Sequence, residues 1–180
     1  SIGMDGKLEK AGNEMQIFAP AGTGPRHFVF SEDARFLYLM TEMGSRLLVY
    51  ESQDGGVTFQ EIQNLSALPK DYEGFHAGAD IHLSADGRFL YLSDRGVNDI
   101  AVYRILKATG LVERVGNYSC HGNFPRNFCI TPDDRFIIIA NQKSGNVVLC
   151  ERDKKTGIPG KRLAEIKIMQ AVFVTAIAKG

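Results

Sequence analysis

The 180-residue chain reads as an all-β protein, a β-propeller of four-stranded antiparallel blades amounting to about half of a seven-bladed ring. Three observations predict this. A strand–turn–strand–turn–strand pattern is written out over Asp80–Ile105 and recurs over Arg26–Tyr50 and Arg126–Cys150. The arginines that follow each first turn, Arg35, Arg88 and Arg135, stand 53 and 47 residues apart (88 − 35 and 135 − 88), a period of solenoids and propellers. Finally, no stretch of helical length carries a 3.6-residue apolar period.

Taken in order, Lys7–Phe18 reads as an outer strand of an earlier unit and ends in the turn cluster Ala-Pro-Ala-Gly-Thr-Gly-Pro. Arg26–Ser31, Phe36–Glu42, Arg46–Ser52 and Thr58–Leu65 then form one blade, with Ser-Glu-Asp-Ala-Arg-Phe at its first turn. Residues 65–78 are too polar and too punctuated by Pro and Gly for a strand, and are expected to form a lid or rim. In the second unit Ala85-Asp86-Gly87-Arg88 supplies a positive-φ turn, and Leu111–Ser119 closes the blade. The third ends with Lys161–Ile168, and Ala171–Ala178 is apolar and β-branched enough for one more strand. The blades are therefore expected over 26–65, 79–119 and 126–168, with a strand of another blade at each end. A closed ring at this period needs roughly 350 residues. We therefore expect a fragment of a longer protein whose N-terminal half is missing, or two copies that cover each other's exposed blade edges.

Lysine and arginine (21) balance aspartate and glutamate (21), which argues against a nucleic-acid footprint or a polybasic membrane patch. No apolar run approaches the roughly 18 residues of a bilayer span. Three cysteines, Cys120, Cys129 and Cys150, are odd in number and lack C-x-x-C spacing, so reduced thiols in a cytoplasmic protein are expected.

Antiparallel partners share a constant residue sum, which locates the chemistry. Arg26 falls opposite Glu42; Ala79 and Asp80 fall opposite Arg95 and Asp94; Arg126 and Asn127 fall opposite Gln142 and Asn141. These groups gather at the blade end away from the Asp-Gly turns, and with the first strand innermost that end opens onto the central channel. Three guanidiniums there suit a phosphate or carboxylate, and Glu42 and Asp80 are candidate bases toward water. The alternative is that the charges only neutralise one another as ion pairs between blades. His27, beside Arg26, is a candidate to orient a substrate or shuttle a proton, and His76 a contact from the 65–78 loop. His82 reads as packed between blades, and Cys150, in the slot of Tyr50 and Tyr103, as core. His76, His82, Cys120 and His121 lack a recognised zinc spacing, so no metal and no cofactor is expected. Gly22-Thr23-Gly24 lacks a preceding strand and following helix, and is read as a turn.

Gly24-Pro25-Arg26-His27-Phe28-Val29-Phe30, Ile81–Tyr91, Ser93-Asp94-Arg95-Gly96, Pro125-Arg126-Asn127-Phe128 and Ala140-Asn141-Gln142 resemble the seven-bladed lactonase propellers. That family includes bacterial cycloisomerase-type 6-phosphogluconolactonases and fungal carboxymuconate-lactonizing enzymes. The resemblance covers nearly the whole chain and matches the C-terminal half of the family's length. It implies that Arg26 and Glu42 are the family's Arg and Glu facing across the channel hairpin, and that Arg95 is the arginine of its Ser-Asn-Arg-Gly segment. Here that segment reads Ser-Asp-Arg-Gly, and Gly78-Ala79-Asp80 replaces an Ala-Ala-Glu. A family histidine of the site belongs to an earlier blade outside this chain, so the fragment alone is expected to be inactive. The implied reaction is hydrolysis of an anionic sugar lactone, 6-phosphogluconolactone to 6-phosphogluconate. Arg26 and Arg95 would hold the anion and stabilise the oxyanion; Glu42 would orient or deprotonate water, helped by His27; Arg126, Asp80, Asn141 and His76 would contact substrate. A carboxymuconate-type lactonizing activity and a non-catalytic binding module are the alternatives.

Overall fold

A computed structural model describes residues 4–7, 17–55 and 58–178. Twelve strands form three four-stranded antiparallel sheets, each in sequential order, and no helix occurs among the described residues. The first blade is β1 (Pro25–Phe30), β2 (Phe36–Thr41), β3 (Arg46–Ser52) and β4 (Phe59–Ser66). The second is β5 (Gly78–Leu83), β6 (Phe89–Asp94), β7 (Asp99–Ile105) and β8 (Val112–Ser119). The third is β9 (Pro125–Ile130), β10 (Phe136–Asn141), β11 (Asn146–Arg152) and β12 (Pro159–Lys167). Strands β1, β5 and β9 neighbour one another in turn, so the first strand of each blade is innermost.

Two-residue alternation builds the core. Along β6, Leu90 and Leu92 join Tyr38, Met40, Leu47 and Val49 of the first blade. The alternate residues Phe89 and Tyr91 join Phe128, Ile137, Ile139 and Cys150 of the third. A strand covered on both faces reads as a hydrophobic run, which is why the fully buried β2 and β6 are continuously apolar over Phe36–Met40 and Phe89–Leu92 before their polar channel ends. Each joint between blades repeats one device. The glycine that ends the turn before a fourth strand lies flat on a phenylalanine of the preceding blade, Gly110 on Phe36 and Gly157 on Phe89. A Cβ there would fall 2.2 Å and 2.4 Å from the ring, and both glycines have positive φ. A tyrosine hydroxyl donates to each glycine carbonyl, Tyr38 to Gly110 (3.1 Å) and Tyr91 to Gly157 (2.7 Å).

Three expectations change. Cross-strand pairing runs one residue out of the predicted register along each innermost strand, with Phe28 facing Leu39, and two residues out at the channel end, where the strand bulges: His27 faces Met40 while Pro25 faces Thr41, leaving Arg26 as the extra residue. The same shift lies between Gly78 and Ile81 and at Arg126. Second, Ala171–Ala178 joins no sheet among the described residues; it lies against β9, where the Val174 N–H donates to Asn127 Oδ1 (2.7 Å). Third, the outer strand expected over Lys7–Phe18 lies largely outside the described residues. Cys150 faces Ile137 as Tyr50 faces Leu37 and Tyr103 faces Leu90, a core position, and all three cysteines are buried and free.

Candidate active site

The rim is assembled by backbone before any side chain acts. The Gly22–Gly24 turn, with positive φ at both glycines, brings the Gly24 carbonyl to the Glu42 N–H (2.8 Å) and the Thr23 carbonyl to the Met43 N–H (2.9 Å). Glu42 is thereby fixed just beyond β2, beside the bulged Arg26. The Gly78 N–H donates to the Glu42 carbonyl (3.0 Å), stitching the first blade to the second.

Around Glu42 the predicted charges converge. Arg95 Nη2 donates to Glu42 Oε1 at 2.5 Å, and Arg26 Nε stands 3.6 Å from Oε2. Arg95 is 6% exposed and also donates to the carbonyls of Ala77 and Gly78, with its guanidinium 5.4 Å from the Phe124 ring centroid. Its Nη1 has no partner among the described residues. Arg26 donates through Nη1 to the Ala79 carbonyl across the blade boundary. Arg126 makes no ion pair or hydrogen bond among the described residues, yet its charge is felt at both Arg26 and Glu42. Desolvation, then Arg95, then Arg126 lower the Arg26 guanidinium, against the opposing pull of Glu42. The Arg95 hydrogen bond lowers the Glu42 carboxyl, and the charges of Arg95, Arg26 and Arg126 outweigh the opposing effect of partial burial. Three guanidiniums thus share one carboxylate, which leaves a surplus of positive charge at the rim.

Asp80 lies deeper, 3% exposed, and its carboxylate is a hub between blades. His27 Nδ1 donates to Oδ1 (2.7 Å), His82 Nε2 to Oδ2 (2.9 Å), and the side chain of Asn127 and the Phe128 N–H also donate to Oδ2. Burial alone would raise this carboxyl, but the His82 hydrogen bond and charge, the His27 hydrogen bond and the Phe128 N–H hold it at about 2. His27, Asp80 and Asn127 occupy one position of the repeat, eight residues before Arg35, Arg88 and Arg135 (35 − 27, 88 − 80, 135 − 127). That shared offset was the available signal for their meeting, and cross-strand pairing within a blade does not detect it. His82 packs edge-on against Phe128 of the next blade (centroids 4.8 Å), as expected of a histidine between blades.

Two predicted contacts stand apart. Asn141 is fully buried and turned away from the channel; its Nδ2 donates to the Cys120 carbonyl and its Oδ1 has no partner among the described residues. His76 bonds back to the Gly74 carbonyl (3.0 Å), and the 67–77 segment is tied down where Arg95 takes the Ala77 carbonyl and Arg114 those of Ala67 and Leu68. Cavities of about 650 Å³ beside Phe136 and Arg152 and about 450 Å³ between Tyr38 and Gly87 lie at the opposite, Asp-Gly-turn end of the blades. Among the described residues no cluster of His, Cys, Asp or Glu is arranged to hold a metal ion.

Consecutive four-stranded blades around a shared innermost layer, with charged groups collected at one end of it, define a β-propeller with a polar channel mouth. The family model for the seven-bladed β-propeller lactonases matches residues 3–176, and the chain belongs to that family. It is 39% identical over 153 residues to a 6-phosphogluconolactonase of Bacillus subtilis, covering 85% of this chain and 43% of that protein. It is 33% identical over 144 residues to one of Yersinia pseudotuberculosis, covering 80% and 43%. Among solved structures it resembles a periplasmic gluconolactonase of Pseudomonas aeruginosa with a TM-score of 0.82 and 33% identity, covering 86% of this chain and 42% of that one. The chain therefore spans less than half the length of these relatives.

Proposed function

We propose that this chain supplies the anion-binding half of a lactonase site that hydrolyses 6-phosphogluconolactone to 6-phosphogluconate. The observation that carries the proposal is the pairing of Arg26 and Arg95 with the single carboxylate of Glu42, with the charge of Arg126 felt at the same group. A dianionic phosphate is the natural complement of such a surplus, and planar guanidiniums grip its oxygens through paired N–H groups. Relatives named for this reaction support the choice of substrate. Arg95 and Arg26, fixed by backbone carbonyls before substrate arrives, are suited to stabilise the oxyanion that develops at the lactone carbonyl. Glu42 holds both guanidiniums in place and orients water. The free, buried thiols support a reducing compartment such as the cytoplasm.

Ligand protection tests the reading, because a ligand that binds only the native state must raise the unfolding temperature. We expect 6-phosphogluconate to raise the midpoint of this chain, gluconate to raise it less, and Glu42→Gln or Arg95→Ala to abolish the difference. Absence of protection by either ligand refutes the proposal. The gluconolactonase relative favours a second reading, in which the ring rather than the phosphate is recognised; equal protection by the two ligands would select it.

A further inference from the structure

Lactone hydrolysis needs one group to take a proton from the attacking water and return it to the ring oxygen that leaves. Glu42 is ill suited to that part, because Arg95 Nη2 is bonded to its Oε1 at 2.5 Å, and that bond with the charges of Arg95, Arg26 and Arg126 holds its carboxyl below the ordinary range, which makes it a weak proton acceptor. His27 is differently placed. Its side chain, 45% exposed, stands at the channel with each ring nitrogen assigned by a neighbour of fixed character. Asp80 Oδ1, 2.7 Å from Nδ1, is a carboxylate oxygen and only accepts, so the proton of that contact is on Nδ1. Arg26 Nη1, 3.4 Å from Nε2, belongs to a guanidinium and only donates, so Nε2 presents its lone pair. Two independent neighbours from two blades select one tautomer. Asp80 is itself immobilised by His82, Asn127 and the N–H groups of Ile81 and Phe128, so the imidazole is held by a rigid partner.

We propose that His27 Nε2 is the proton acceptor for lactone hydrolysis and that Asp80 is the positioning residue that fixes its tautomer. This assignment rests on the lactone-hydrolysis reading. Water oxygen bonds to the carbonyl carbon while its proton passes to Nε2, and the carbonyl pair moves onto oxygen beside the arginines. On collapse the ring C–O bond breaks, the departing oxygen takes the proton from Nε2, and neutral His27 is restored with one water consumed. The charged and titratable groups around the imidazole are Asp80 at Nδ1, Arg26 at Nε2, His82 beyond Asp80, and Glu42, Arg95 and Arg126 around Arg26.

Long-range ¹H–¹⁵N correlation spectra of the labelled 180-residue chain read the tautomer directly, without reference to activity. We expect His27 protonated on Nδ1 in the unaltered chain and in His82→Gln, and shifted toward Nε2 protonation in Asp80→Asn. The second arm follows 6-phosphogluconolactone hydrolysis by the full-length protein, since this chain supplies only half of the site. His27→Gln, a change on an exposed strand that spares the core, should lower kcat by about 100-fold or more with little change in KM. Asp80→Asn should lower kcat by about tenfold or more with little change in KM, while His82→Gln should cost less than Asp80→Asn. An Nε2-protonated His27 in the unaltered chain, or full kcat in His27→Gln, overturns the proposal. Protection by 6-phosphogluconate separates the two failures: where the unaltered chain is protected, only the proton-acceptor assignment has failed; where it is not, the lactone reading has fallen with it.

Discussion

Two buried aspartates of the second blade titrate in opposite directions, and the difference is a matter of partners. Asp80 has five side-chain or backbone donors from neighbouring residues and a carboxyl held at about 2. Asp99 is comparably buried, but among the described residues Asn117 alone donates to it and its Oδ1 has no partner, and Asp94 repels its charge against the weaker pull of Arg114. Desolvation therefore dominates and pushes its carboxyl up to about 7, with the Asn117 hydrogen bond opposing. Unfolded, the group releases its proton near 3.8, so between about pH 4 and 7 the native chain binds more protons and its stability falls as pH rises. Asp99→Asn, the isostere of the neutral form, should remove that decline. Urea midpoints at pH 4 and pH 8 should be closer together in the variant, which should exceed the parent at pH 8 by on the order of 2 kcal/mol. Parallel midpoints in the two proteins would contradict this.

At the level of elements, the joints between blades are alike in plan and unequal in strength. Tyr38 makes one hydrogen bond across the first joint, to Gly110. Tyr91 donates to Gly157 and also accepts from Arg152 Nε (2.7 Å), whose Nη1 is paired with Asp134 and whose Nη2 has no partner among the described residues. Removing the Tyr91 hydroxyl strands a second donor of a buried cation, so Tyr91→Phe should cost about 2 kcal/mol and Tyr38→Phe about 1 kcal/mol in denaturant titrations. Equal losses would show that Arg152 does not depend on the hydroxyl. The strands themselves were legible in the sequence, because Asp-Gly-type turns and two-residue alternation are written into single stretches of chain: Phe36–Thr41 and Val112–Ser119 lie where Phe36–Glu42 and Leu111–Ser119 were expected. The bulges at Arg26 and Arg126 were not legible. An extra residue changes the pairing sum by one and leaves no mark on composition, so Arg26 met Glu42 through side-chain reach and not through direct pairing. Asp80 was read as a rim residue, but its partners lie 53 and 47 residues away on other blades and depend on how blades stack.

For the molecule as a whole, the half-ring has two unlike ends. Phe28 (55% exposed) and Phe30 stand out on β1, whereas Ile166 on β12 and Ile168, Met169 and Phe173 (70% exposed) after it stand out at the other end. Apolar side chains in such groups favour association. Sedimentation velocity over a wide range of concentration should show a coefficient that rises with loading, and Phe28→Ser with Phe30→Ser should flatten the trend. A coefficient independent of concentration in the unaltered chain would rule this out. The repeated bulge has an implication at the same scale. At one height on each innermost strand the ladder skips a residue, Arg26 in the first blade and Arg126 in the third, and the position that matches them in the second, within the shift between Gly78 and Ile81, is Ala79. Because these side chains carry no pairing duty, they are interchangeable sockets, and a propeller of this kind can be retooled for a new guest by swapping them while its blades stay as they are.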